Sequence, residues 1–164
     1  MGSQFGDGRL ERLYRYWWSK RGGRLAPHRA DLNPAEIPDL LPIVHLIDVG
    51  WSPLTFRHRL VGTELVERLE RDVTGKVVDG SLYGDATAEI VAGLSRIATE
   101  IRPYRRRNRA PWHVRGWLVV ESVEMPLIDD AGRVAMILAG RAVSTPTRMA
   151  PEETEFSPLS PPAG

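Results

Sequence analysis

The chain contains no cysteine. That removes disulfides, thiolate metal sites, cysteine nucleophiles and flavin–cysteinyl adducts together, and it suits a reducing cytoplasm, the expected location. Net charge is also nearly absent. Twenty-two Lys+Arg face 21 Asp+Glu, so no global field draws the molecule onto nucleic acid or an anionic membrane. Long apolar runs are missing too: the most apolar stretch, Leu40 to Val49, is too short to cross a bilayer and is interrupted by Pro42, His45 and Asp48. Met1 to Gly8 lacks the basic start and apolar middle of a secretion signal. There is no internal repeat, kinase signature, nucleotide loop or DNA-reading helix, so a signal would have to leave through contacts with another protein.

What is present is enough apolar material, 42% of 164 residues, for one globular domain with a core of useful size. Residues 1–8 are expected to be disordered, 9–144 to form the domain, and 145–164, where prolines and acids replace the apolar pattern, to be a disordered tail. Leu10, Leu13, Tyr14, Trp17 and Trp18 make one stripe of an opening helix that Gly22 and Gly23 end. Asn33, Pro34 and Glu36 start a short second helix, kept short by Pro38 and Pro42. Ile43 to Val49 and Leu54 to Val61 alternate as strands joined by a hairpin. After Gly62 the period changes, and Leu65, Val66 and Leu69 recur at helical spacing. A longer helix, capped by Asp85 and carrying Ile90, Leu94, Ile97, Ala98 and Ile101, runs to Pro103. Three strands follow: Tyr104 to Asn108, Gly116 to Leu127 and Arg133 to Val143.

That order of elements is the order of a PAS domain, and the wording is similar as well. FRHRLVGTELVERLERDVTGK, Phe56 to Lys76, resembles the strand, Gly-Thr hinge and Arg-Asp-x-Thr-Gly turn of the small single-domain PAS proteins of alphaproteobacteria. RGWLVVESVEMPLIDDAGRVAMILAG, Arg115 to Gly140, resembles their closing hairpin, and the Tyr-Trp pair followed by NPAEIPDLLP at Asn33 to Pro42 is similar too. The resemblance implies an α+β fold: a five-stranded antiparallel sheet in the order 2-1-5-4-3, helices over one face, an N-terminal amphipathic helix and a small hydrophobic cavity. It implies a non-catalytic sensory or regulatory module that binds a small molecule, a signalling protein, or both. No cofactor is assigned. The helix from Asp85 to Ile101 has no histidine for haem iron, and a flavin adduct has no cysteine.

Candidate sites follow from which residues the strands align. A register pairing Val49 with Leu54 places His45 opposite His58 on one face, with Ile43, Ile47, Phe56 and Leu60. Two imidazoles on an apolar face need partners. They either contact a ligand or a metal with help from Glu121, or bond to backbone and water; the second reading is favoured and no metal is assigned. Alternation sets Glu121 beside Trp117, Val119 and Val123 and turns Glu124 to solvent. The expected pocket is Phe56, His58, Leu60, Val66, Ile90, Leu94, Trp117, Val119 and Met136, with His45, His58 and Glu121 as its polar groups and a small apolar ligand as its occupant.

Arg102, Arg105, Arg106, Arg107, Arg109 and Arg115, interleaved with Tyr104, Trp112 and Trp117, form the strongest local charge feature. Nucleic-acid binding through 102–115 is the alternative function, but protection of an edge strand is the commoner use of such charge. The opening stripe of Leu10, Leu13, Tyr14, Trp17 and Trp18 is the expected interface of a homodimer, though it would serve equally well lying on its own sheet. An acid–base enzyme using Asp48, Glu121, Glu124 and the histidines is supported by residue types alone and is disfavoured.

Overall fold

The computed structural model describes residues 4–110, 113, 116–145 and 154–163. Helix α1 (Gly8–Lys20) opens on Asp7, whose carboxylate accepts from the Arg9 amide. Three 3₁₀ turns (Arg29–Asp31, Pro34–Glu36, Leu41–Ile43) lead into β1 (Val44–Gly50) and β2 (Thr55–Val61). Helices α2 (Thr63–Leu69), α3 (Gly80–Tyr83) and α4 (Thr87–Glu100) follow, then β3 (Tyr104–Arg109), β4 (Val119–Ile128), β5 (Val134–Ser144) and β6 (Glu155–Pro158). A further 3₁₀ turn at Gly84–Ala86 stands before α4, so that helix starts two residues later than the Asp85 cap expected from sequence.

The strands form one antiparallel sheet in the order β2-β1-β5-β4-β3-β6. The expected order is present within it, with a sixth strand added. β6 lies in the segment expected to be a disordered tail. Its Phe156 stacks on Tyr104 with ring centroids 4.3 Å apart, which explains how so short a piece holds its place. The expectation for 146–153 falls outside the described residues. The N-terminus is corrected in the same way. Phe5 is buried, and the Gly6 and Asp7 amides donate to Glu121.

Gly62 joins β2 to α2 where the chain passes the backbone of Pro42; any Cβ there would collide with the Pro42 carbonyl. This close approach, rather than an unusual torsion, is why the strand-to-helix change falls on a glycine.

Both faces of the sheet are covered. Leu10, Leu13, Tyr14 and Trp17 of α1 are fully buried against one face; Trp17 Nε1 donates to the Pro126 carbonyl at 2.8 Å and Tyr14 to the Ser160 carbonyl at 2.8 Å. The stripe is therefore interior to its own chain, which corrects the homodimer interface drawn on it. Trp18, partly buried, packs against the same core and carries the Arg21 guanidinium over its ring. Helices α2 to α4 cover the opposite face, and the candidate site lies beneath them.

Candidate functional site

The hairpin β1–β2 pairs Val49 with Phe56 and Ile47 with His58, two residues away from the expected register, and His45 with Val61, three away, because a bulge falls between Leu46 and Ile47. The bulge absorbs an extra residue on β2. Leu60 then aligns with Leu46 on the α1 side of the sheet, 44% exposed, and Val61 takes the place beside His45. His45 and His58 are thus diagonal neighbours instead of direct partners, yet their rings still meet: His45 Nε2 lies 2.7 Å from His58 Nδ1, both side chains buried.

From that pair a row of hydrogen bonds crosses the sheet. Arg141 on β5 donates from Nε to His45 Nδ1 at 3.0 Å and from Nη1 to Ser122 Oγ (2.8 Å) and Glu124 Oε1 (3.1 Å) on β4. Arg106 on β3 closes on Glu124 with two bonds, Nε to Oε1 at 3.0 Å and Nη2 to Oε2 at 3.1 Å. At the other end Tyr83 of α3 meets His58 Nε2 at 2.8 Å. Reading across, β2, β1, β5, β4 and β3 each contribute to it in their spatial order, β4 with both Ser122 and Glu124.

Donor chemistry fixes the direction of this row. A guanidinium has no acceptor, so His45 Nδ1 accepts and its proton sits on Nε2; that proton goes to His58 Nδ1, which leaves His58 protonated on Nε2 and donating to the Tyr83 oxygen. Both nitrogens of both rings are engaged. Burial, and after it the charge on Arg141, pushes His45 well below its ordinary 6.5; burial, then Arg141 and Arg71, takes His58 down to about 4. Burial alone would raise Glu124, but Arg106 and Arg141 outweigh it and hold the carboxyl below its usual value.

The row floors a cavity of about 80 Å³. Arg71, Tyr83, Asn108 and the guanidinium groups of Arg106 and Arg141 make its polar side; Val61, Leu65, Leu69, Val73, Ile90 and Val120 make its apolar side. Of the expected pocket residues, Ile90 lines it, and His58 stands behind His45 and Tyr83 in the row. Phe56 and Leu94 are buried in the main core, and Val66 of α2 is half-buried. Trp117 is 50% exposed before β4 begins, and Met136 shares the α1 side with Leu138 and Gly140.

On β4 the expected faces are inverted. Glu124, expected in solvent, is 1% exposed and central to the row. Glu121 lies on the α1 side with Val119, where it accepts from Gly6, Asp7 and Arg105. All ten β4 residues are buried, so alternation on this strand carries no sign of which face is which. Three of the β3 arginines have acidic partners: Arg105 lies against Glu121 and Glu155, the buried Arg106 against Glu124, and the more exposed Arg107 against Glu155. Because β6 covers β3, that strand is not an edge, which corrects the edge-protection reading. Arg115 and Trp112 lie outside the described residues.

Arg141 and Tyr83 are absent from the expected sites, and Arg106 and Glu124 are expected only in the arginine-rich segment and in the disfavoured acid–base reading. The available signal was cross-strand: Arg106 and Arg141 both pair directly with Ser122, two residues from Glu124 on the same face. Among the described residues no group of three or more His, Asp or Glu side chains converges as a metal site, and no helix is long and apolar enough to cross a membrane.

No curated protein matches this sequence. Among solved structures the chain is similar to the PAS domain from Bordetella pertussis BvgS, at 17% identity over 84% of this chain and 89% of that one with a TM-score of 0.49. It is also similar to a sensory box histidine kinase/response regulator from Burkholderia thailandensis E264, at 13% identity over 69% and 86% with a TM-score of 0.44. At these values neither likeness bears on ligand or mechanism. The PAS domain family model, however, matches residues 8–140, from the first residue of α1 into β5. The chain accordingly belongs to the PAS domain family, whose members are sensory modules of signal transduction and generally not catalysts.

Proposed function

We propose that this PAS domain takes a small molecule into the cavity between its sheet and α2 to α4, and passes the resulting change to a protein partner without performing chemistry. The observation that supports the reading is the cavity itself: an apolar wall facing polar groups that a continuous hydrogen-bonded row holds in fixed positions. A preformed pocket with a few oriented polar groups is the usual form of a small-molecule site. Kinship with the small single-domain proteins of alphaproteobacteria, a homodimer and a cytoplasmic location belong to the same proposal. Nucleic-acid binding draws little support from β3, where Arg105, Arg106 and Arg107 each lie against Glu121, Glu124 or Glu155.

Native mass spectrometry of the freshly purified chain, with its absorption spectrum, tests this. A retained small mass that disappears when the cavity is filled by Ile90→Phe, in a variant still melting cooperatively, is the expected result. A bound mass untouched by that substitution would place the ligand elsewhere and overturn the reading.

A further inference from the structure

The charges around the cavity are unequal. Arg71, Arg106 and Arg141 line it, and among the described residues Glu124 is the single acidic one that does. The neighbouring histidines do not alter the balance, because the direction of the hydrogen bonds from Arg141 through His45 to His58 requires both rings to carry one proton each. Glu124 is held from two sides, by Arg106 and by Arg141. Arg71 reaches the cavity from the turn after α2, anchored by a 3.1 Å bond from Nη1 to the Leu82 carbonyl and lying over the Tyr83 ring. Opposite these cations the wall is aliphatic, with Leu65 and Val73 among its members.

Resting on the reading of the cavity as a ligand site, we infer that its occupant is a short organic monocarboxylate, its head among the guanidinium groups and its tail against the aliphatic wall. The cationic excess selects an anion over a neutral molecule, since a carboxylate offsets part of that charge and accepts the planar donor fork of an arginine. The aliphatic side selects an organic anion over phosphate, which would leave that wall facing a hydrated ion. A second carboxylate on the same ligand would be pressed against the aliphatic wall without a partner, which selects a monocarboxylate. Size sets the tail: about 80 Å³ is smaller than the ~150 Å³ cavity that admits benzene, so the body is a few carbons long.

The test titrates the ¹⁵N-labelled full chain with sodium butyrate, butyramide, succinate and sodium phosphate, following backbone amide shifts, and repeats butyrate on Arg71→Gln. Saturable shifts centred on Arg71, Val73, Tyr83 and Ser122 are expected with butyrate. Butyramide should bind about tenfold or more weakly, and Arg71→Gln should weaken butyrate by a similar factor, the scale of one charge-assisted hydrogen bond. Butyramide matching butyrate would overturn the anion and leave the cavity reading standing. Phosphate or succinate matching butyrate would overturn the monocarboxylate. Should none of the four move those amides, the inference fails, and the retained mass described above decides separately whether the cavity takes any ligand.

Discussion

Gly93 of α4 lies directly against the guanidinium of Arg106, so close that a methyl group at that position would overlap Nη2. The helix gives up a side chain there to let a buried arginine reach Glu124 flat. Gly93→Ala should therefore destabilise the fold even though alanine favours helix by about 1 kcal/mol. Displacing the guanidinium and loosening its bidentate pair with Glu124 costs more, for a net loss of roughly 2 kcal/mol. A lower urea midpoint with an unchanged m-value is the expected readout, and a raised midpoint would contradict the contact.

Stability should fall on mild acidification. The unfolded chain protonates its histidines near 6.5, whereas His58 in the fold does so only at about 4 and His45 also well below its ordinary value. Between those limits the unfolded state binds more protons, so stability is complete above about pH 7 and declines as pH drops through the window. The His58 share is on the order of 3 kcal/mol. Glu124, whose carboxyl is held below its usual value, adds a second decline at lower pH, where the unfolded chain takes up that proton before the fold does. Urea midpoints at several pH values on wild type and His58→Gln check this: the variant should give the shallower slope, and equal slopes would remove His58 from the account.

Glu121 fastens the N-terminal segment. Its carboxylate accepts from the Gly6 amide at 3.0 Å, from the Asp7 amide at 3.2 Å and from Arg105 at 2.6 Å. Glu121→Ala should release residues 4–7 ahead of α1, speeding hydrogen exchange at those two amides strongly while costing about 1–3 kcal/mol overall. Protection unchanged at Gly6 would mean that another group holds the segment.

β6 covers β3, and Phe156 does so with its ring 4.3 Å from that of Tyr104 and beneath the Arg106 guanidinium. Phe156→Ala should cost about 2 kcal/mol, the lower range for a half-buried aromatic. Ending the chain after Thr145 goes further and leaves β3 with an open edge, so light scattering should show association beyond that of the full chain. A truncated chain as monodisperse and as stable as the full one would contradict the role given to β6.

The strand order β2-β1-β5-β4-β3 came with the resemblance to PAS domains, whereas the element order and the Gly62 change of period were legible in the residues themselves, because each rests on local periodicity and turn chemistry. Face assignment was not. On β2 a bulge exchanged Leu60 for Val61, and bulges leave no mark on an alternating pattern. On β4 both faces are buried, so nothing in the string distinguishes the environment of Glu121 from that of Glu124. The cavity residues Arg106 and Arg141 read as ordinary surface charge because their partner is distant in sequence. β6 was missed for a related reason: a four-residue strand in a proline-rich stretch is stabilised by one aromatic contact with a strand about fifty positions earlier.

Arg141 and Gly140 are adjacent on β5 and face opposite ways, one toward the cavity, the other toward Leu10 and Leu13 of α1. The partition between chamber and outer helix is thus a single peptide unit thick at this point. Since densely packed interiors transmit strain instead of absorbing it, a guanidinium dragged by an arriving guest has no intermediate layer in which to lose its movement before the helix feels it.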